Sequence, residues 1–418
     1  MNDRLEPLLF VTPVMPAESG NGLAMRCGVF LAALATVRPV DVLALPIFGP
    51  PPARDVAFAR RHARDLRILE PGAPDTHFGL ISRLLNPDAR LRAFIAYGRP
   101  SLVARFSAEL IQRARDALAS RSYGHVHVQR LYCAPFALAL ARDIAPGAPL
   151  TLDADEDDTR VALAMAAGRG LAGDVRAAGW WRQEACASGR LFAEHATTFA
   201  RVFVSSPLDF ARLRTLAPDA ALEMIPNTAP RPAFPRPNEA IASLLFVGAL
   251  GYQPNDDALR WFLARVWPRL RARRPTLRFD IVGAHASAAV RRHARAPGVR
   301  LHGFVADLRP VYARTTLVIA PIRTAAGTRI KLVEAAGHGV PIVSTSLGAE
   351  GLGLSARRDL WIADGPEATL RAVLDALDRP AERHRRARNA RAHVARHFDP
   401  ARTRAHIARS IAALAGRA

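Results

Sequence analysis

Of the 58 basic residues in this 418-residue chain, one is a lysine and the rest are arginine. Lys331 falls inside the run Gly-Thr-Arg-Ile-Lys-Leu-Val-Glu-Ala-Ala-Gly-His-Gly-Val-Pro that starts at Gly327. An ammonium is a compact point charge that enters a narrow space beside a phosphate oxygen, whereas a guanidinium is a wide planar fork. The run follows an apolar stretch, Thr316 to Pro321, and continues with helical spacing, so it reads strand, loop, helix. Threonine is a good N-cap, which predicts a helix that starts near Arg329 beneath Thr328 and is ended by Gly339 and Pro341. The first turn of such a helix presents unpaired N–H groups and about half a unit of positive charge, an anion site by construction. Lys331 lies in that turn, and Glu334 shares its face three residues on. One helix thus offers a cation for phosphate and, a turn deeper, a carboxylate for two sugar hydroxyls. The plainer use of the pair is a surface contact of about 0.3–0.5 kcal/mol. The co-occurrence of glycine, cap, lysine and glutamate in a strand–loop–helix context favours a nucleotide site.

A second candidate is the acidic run Asp153-Ala-Asp-Glu-Asp-Asp158. Paired aspartates one residue apart can hold a divalent metal and a diphosphate, which would point to a metal-dependent transferase of another fold. An acidic run after a strand is more commonly a solvated loop or a helix start, where negative charge is favourable. No metal is therefore expected. Cys27, Cys133 and Cys186 are isolated, which excludes a disulfide frame and a cysteine metal site, and they read as small buried side chains.

The elements that must position these groups follow from short β-branched apolar runs alternating with longer amphipathic stretches, the pattern of parallel sheets with crossover helices. Half the residues are apolar, enough for two cores. Strands are expected at Pro7 to Thr12, Val40 to Leu45, His125 to Gln129, Pro149 to Asp153 and Val202 to Ser205, with a helix at Ala24 to Val37. Prolines 226, 230, 232, 235 and 237 forbid helix and predict an interdomain linker. The pattern restarts with Ser243 to Gly248, Leu277 to Gly283, Val299 to His302, Thr316 to Pro321, Pro341 to Thr345 and Leu360 to Ile362, and is helical from Pro366. The expected organisation is an N-terminal domain over residues 1–230, a C-terminal domain over 231–395 and a terminal helix, residues 396–418, packed back on the body.

The net charge of +21 attracts phosphates, nucleic acid or an anionic membrane leaflet. Specific nucleic-acid binding is not expected, since the arginines are dispersed and 7% of residues are aromatic. The first residues lack the basic start and long apolar core of a signal peptide, and no run reaches the roughly 18 apolar residues of a membrane span. A cytoplasmic location is expected, with the charge admitting peripheral contact at the inner face of the membrane.

Leu244 to Leu250, Pro254-Asn255, Asp280 to Gly283, His302 to Asp307, Lys331 to Pro341 and Ser344 to Gly351 together resemble the family-4 glycosyltransferases of GT-B architecture. The resemblance is specific in the C-terminal half and covers the N-terminal half in outline. It implies an α/β fold of two Rossmann-like doubly wound domains facing a central cleft. It implies a nucleoside-diphosphate-sugar donor held mostly by the second domain, an acceptor held by the first, and retaining transfer without a metal. Glu334 matches the second glutamate of the family's glutamate pair, which binds the donor ribose; the first falls on Ala326. The family's usual arginine and lysine after the first strand of this domain are replaced by Gly251 to Asn255, leaving Lys331 as the leading diphosphate cation with Arg329 assisting and Gly248, Gly327 and Thr328 alongside. Ser19 to Arg26 resembles the glycine-rich loop that approaches donor phosphate and acceptor, with Gly20 and Gly22 permitting close approach and Arg26 in the helix that follows. Gln129 stands where the family has a histidine, and His127 is the nearest imidazole, for which a core position is the commoner outcome. The resemblance implies no cofactor beyond the nucleotide sugar as co-substrate. It implies a glycan or lipid-linked acceptor and a setting in bacterial surface polysaccharide assembly. Ala326 and Gln129 favour a second reading, a catalytically silent sugar-nucleotide-binding subunit.

Overall fold

The computed structural model describes residues 6–171, 173–229, 242–324 and 327–415. Most of the proline-rich linker and Ala326 therefore lie outside the described residues. Two compact units divide the chain: Met1–Pro226 with Ala401–Ala418, and Asn227–Pro400.

The first unit is built on β1 (Leu8–Thr12), β2 (Val40–Ala44), β3 (Asp65–Ile68), β4 (His125–Gln129), β5 (Leu150–Asp155), β6 (Arg201–Val204) and β7 (Leu222–Met224), in the spatial order β3-β2-β1-β4-β5-β6-β7 with parallel pairings. Every residue of β1, β2 and β4 is buried, because helices cover both faces of the sheet. That two-sided burial is why β1 reads as an apolar run, and why the polar Asp41 of β2 and His125, His127 and Gln129 of β4 are buried as well. One face packs Phe10, Phe30 and Phe203 with Ile407 and Ile411 of the terminal helix Pro400–Ala415. The other packs Val11, Val128 and Leu152 against Phe136 and Phe192.

The second unit repeats the design with β8 (Ser243–Val247), β9 (Arg278–Val282), β10 (Val299–Gly303), β11 (Leu317–Ala320), β12 (Ile342–Ser344) and β13 (Trp361–Ile362), in the order β10-β9-β8-β11-β12-β13. Its core gathers Phe246, Phe262, Phe279, Trp267 and Leu332.

Three expectations need correction. The helix after β11 runs Ile330–Gly337, with Arg329 at its cap position and no side-chain cap, so Thr328 does not cap it. Cys186 is exposed rather than buried. The acidic run is not a solvated loop: Asp153, Asp155 and Asp157 are buried and held by arginines, while Asp158 opens the helix Asp158–Leu171, the helix start that was the other expectation.

Candidate functional site

The order of the second sheet runs outward in both directions from β8 and β11, and an open parallel sheet receives ligands at the carboxyl ends of the strands where its order reverses. The chain leaves β8 at Gly248 and, after β11, enters the Ile330–Gly337 helix through Gly327, whose φ of 71° suits glycine. Lys331 and Gly248 therefore meet at this switch point. The Lys331 Nζ donates to Asn255 Oδ1 at 2.5 Å and stands 4.5 Å from the centre of the Phe246 ring. Asn255, in the first turn of the Gln253–Arg265 helix, is fixed in turn by donating Nδ2 to the Ala249 carbonyl at 2.8 Å. A Cβ on Gly248 would lie 2.9 Å from the Lys331 Nζ and 2.8 Å from Asn255 Nδ2, so the absence of a side chain there lets the ammonium reach the backbone.

No carboxylate among the described residues pairs with Lys331. Burial and, second, the nearby charge of Arg329 push its pKa down to about 7. A lysine so placed becomes fully charged when an anion comes beside it. One turn deeper, Glu334 accepts from the Tyr312 hydroxyl at 3.2 Å, and the Tyr312 ring stacks on His338 at 4.3 Å. Burial raises the Glu334 pKa, and the Tyr312 hydrogen bond opposes that rise.

Arg329 is occupied differently. Its buried guanidinium donates to the carbonyls of Gly348 at 3.0 Å, Gly327 at 2.5 Å and Glu350. It ties the loop before the helix to the Ser346–Ala349 turn, which makes it a positioning residue for Gly327 and Lys331.

The corresponding switch point of the first unit lies between β1 and β4. Gly20 has φ 123°, and Asn21 caps the Gly22–Leu34 helix by accepting from the Ala24 amide at 2.8 Å. Arg26 then points inward. Its guanidinium grips Asp153 through Nε at 2.6 Å and Nη2 at 2.7 Å, lies 3.3 Å from Asp155, and donates Nη1 to the Ile225 carbonyl at 3.0 Å. Burial opposes its charge, but Asp153 and Asp155 more than offset that and raise its pKa. Gln129 donates to Asp153 at 2.5 Å, so Arg26 and Gln129 converge on one carboxylate. His127 is fully buried, stacked on Phe30 with ring centres 4.8 Å apart, its Nδ1 2.9 Å from the Thr151 hydroxyl.

Beyond Gln129 the chain turns through Arg130 with φ 72°, and β5 ends at Asp155 with φ 64°. Left-handed backbone at a non-glycine residue costs about 1–3 kcal/mol and persists only where its surroundings impose it. Here Arg130 pairs with Glu156 at 3.1 Å, Asp155 at 3.4 Å and Asp158. Burial, opposed by Arg130 and reinforced by Asp155 and Asp158, pushes Glu156 up to about 7. Among the described residues no group of three or more His, Cys, Asp or Glu side chains is placed to hold a metal ion, and no helix is long and apolar enough to cross a membrane.

Sequence reading missed Tyr312 and Arg130, and it gave Asn255 no role beyond its place in the Pro254-Asn255 match. Asn255 carried a usable signal, a polar amide directly after proline at a helix start seven residues beyond Gly248; Tyr312 and Arg130 act through contacts distant in sequence.

Residues 242–379 match the family model of glycosyl transferases group 1. The chain superposes on sucrose-phosphate synthase from Thermosynechococcus elongatus with a TM-score of 0.70 at 14% identity, covering 99% of this chain and 100% of that one. Anabaena HepE, solved in complex with UDP and glucose, matches with a TM-score of 0.65 at 15% identity over 98% and 100% of the two chains. The molecule therefore has the GT-B fold, two Rossmann-like parallel-sheet units, and its second unit carries a glycosyl transferases group 1 domain. An uncharacterized 44.6 kDa protein in the cps region of Klebsiella pneumoniae is 26% identical over 130 residues, 29% of this chain and 34% of that protein. The chain thus spans about a third of that curated relative.

Proposed function

We propose that the protein is a family-4-type glycosyltransferase that moves a sugar from a nucleoside-diphosphate donor to an acceptor hydroxyl, with retention and without a metal or further cofactor. The observation that carries this reading is Lys331, brought by Gly248 and Asn255 to the switch point of the group 1 domain with Glu334 one turn deeper. Departure of the nucleoside diphosphate builds charge on its β-phosphate oxygens. The Lys331 ammonium and the backbone at Gly327 and Thr328 meet that charge as it forms, which lowers the barrier without a Lewis acid. Glu334 accepts from the donor's ribose hydroxyls and takes no part in bond breaking. The neighbours solved with UDP and with UDP-glucose support a nucleotide-sugar donor, and the cps-region relative supports a setting in surface polysaccharide assembly with a glycan or lipid-linked acceptor.

The direct test measures sugar transfer and donor binding in wild type and Glu334→Ala across uridine, guanosine and adenosine diphosphate sugars. Loss of two hydrogen bonds to a carboxylate is expected to weaken donor binding by about 10–100-fold, roughly 1.5–3 kcal/mol. Donor binding with no transfer to any glycan would instead make the chain a silent binding subunit, the reading that Gln129 favours. Unchanged donor affinity in the variant would overturn the site itself.

Contact with an anionic membrane surface belongs to the same proposal. Leu80, Leu84, Leu85 and Ile95 are exposed on the Thr76–Arg83 and Pro87–Tyr97 helices and the turn between them, with Arg83 and Arg92 beside them. Sedimentation with phosphatidylglycerol vesicles at low and high salt decides it; no salt-sensitive binding removes the membrane, and with it the inner-face location.

A further inference from the structure

A groove of about 660 Å³ lies in the first unit, between the helices Ala134–Ile144 and Val175–His195. The Tyr97–Pro100 turn lines it too, and it reaches the Pro146–Ala148 loop that leads into the first residue of β5. None of Gly20, Arg26, Gln129 or the Asp153–Asp158 run lines it, so it is separate from the strand-end cluster. The apolar part of its wall is formed by Leu138, Ala141, Ala187 and Leu191. Around that wall stand Arg99, Arg142 and Arg190, all exposed.

The charges are unbalanced. Among the described residues Arg99 and Arg142 make no ion pair, and Arg190 makes one hydrogen bond, to the Gly98 carbonyl at 3.4 Å. The single carboxylate in the lining, Glu194, is paired with the neighbouring His195 at 3.7 Å. A second recess of about 540 Å³ shares Tyr97, Arg99 and Pro135 with the groove and continues between Val103, Phe106, Ile111 and Phe136, with Asp75, His77 and Ser107 also in its lining and the Asp75 carboxylate accepting from the Tyr97 hydroxyl at 2.5 Å. Arg99 therefore stands at a junction, with two further guanidinium groups on one side and, on the other, a recess whose apolar part is Val103, Phe106, Ile111 and Phe136.

We infer that this bipartite groove binds a single-chain amphiphile with a phosphomonoester head, of the class of a prenyl or alkyl phosphate. Guanidinium forks match a phosphate's oxygens in paired hydrogen bonds. A free phosphate would leave the apolar channel unused, and a neutral glycan would leave three cations without a counter-charge. An amphiphile satisfies both halves. This inference stands independently of the transferase reading, because no residue of the Lys331 site contributes to it.

Isothermal titration of the full chain with octyl phosphate below its micelle concentration tests it, with inorganic phosphate and octan-1-ol as the other arms. Octyl phosphate is expected to bind once per chain and at least about tenfold more tightly than either control, since each lacks one half of the recognition. Arg142→Ser with Arg190→Ser should weaken octyl phosphate by at least about tenfold while leaving uridine diphosphate binding unchanged; both positions are exposed, and circular dichroism verifies the fold. Equal affinity for inorganic phosphate would reduce the groove to a plain anion site. Equal affinity for octanol, or indifference to the two arginine substitutions, would remove the head-group role and overturn the proposal.

Discussion

At the scale of single residues, the chemistry rests on a cation whose charge depends on what lies beside it. With its pKa pushed down to about 7 by burial, Lys331 is partly neutral in the free protein above that pH. A diphosphate favours the charged form, so binding above pH 7 must take up a proton. Between pH 7.0 and 8.5 the affinity for uridine diphosphate is therefore expected to fall, approaching about tenfold per pH unit. Calorimetry in buffers of different ionisation enthalpy should register the uptake. Lys331→Met should bind weakly and with no such slope; a flat wild-type profile would mean that the ammonium is already fully charged. Gly248→Ala acts on the same atom from outside, since its Cβ would crowd both Lys331 Nζ and Asn255 Nδ2. It should weaken diphosphate binding by about tenfold, and the midpoint of thermal unfolding should fall slightly, because the Lys331 end can swing aside while Asn255 is buried and held by the Ala249 carbonyl.

At the scale of elements, parallel strands carry residues to their carboxyl ends, and buried ion pairs there lock strand to helix. Asp153 joins the Gly22–Leu34 helix to β5 through Arg26 and to β4 through Gln129. Asp153→Asn takes from the buried Arg26 guanidinium the carboxylate that grips it, with Asp155 3.3 Å away and the Ile225 carbonyl still accepting. Breaking a buried pair from one side costs about 3–5 kcal/mol, and the surviving aspartate places this case near 3. Urea unfolding should read that loss, with a smaller one for Asp155→Asn. Eleven of the strands were legible, most because burial on both faces made them apolar and β-branched, and β4 and β10 because apolar residues alternate with polar ones in them. β3 and β7 were not, since they are the edges of their sheet: Asp65–Ile68 is half-exposed, and Leu222–Met224 is three residues long. Lys331, Glu334 and the glycines were legible because loop, helix and glycine are local signals. The burial of the acidic run was not legible, for the opposite reason, although its helix start was. Its solvation is decided by Arg26, Arg130 and Arg212, which are up to 127 residues away in sequence.

At the scale of the whole molecule, the chain crosses between its two units twice, once before the second sheet and once again near Pro400. The helix Pro400–Ala415 closes the first unit after the second has been completed. Ile407 and Ile411 are buried in the same core as Phe10, Phe30 and Phe203. On the polar side Ser410 donates to Glu223 at 2.7 Å, and His406 meets the same carboxylate at 2.8 Å, beside the last strand of the sheet. Truncation after Pro400 should therefore injure the amino-terminal unit, not the unit that precedes the cut in sequence. Removing two buried isoleucines costs roughly 4 kcal/mol or more, at about 2–5 kcal/mol for each cavity. Hydrogen exchange by mass spectrometry should show faster exchange across β1, β2 and β4, with β8 and β11 unaltered and uridine diphosphate binding retained. Acceleration shared equally by both sheets, or absent from the first, would show that this helix does not complete the first core.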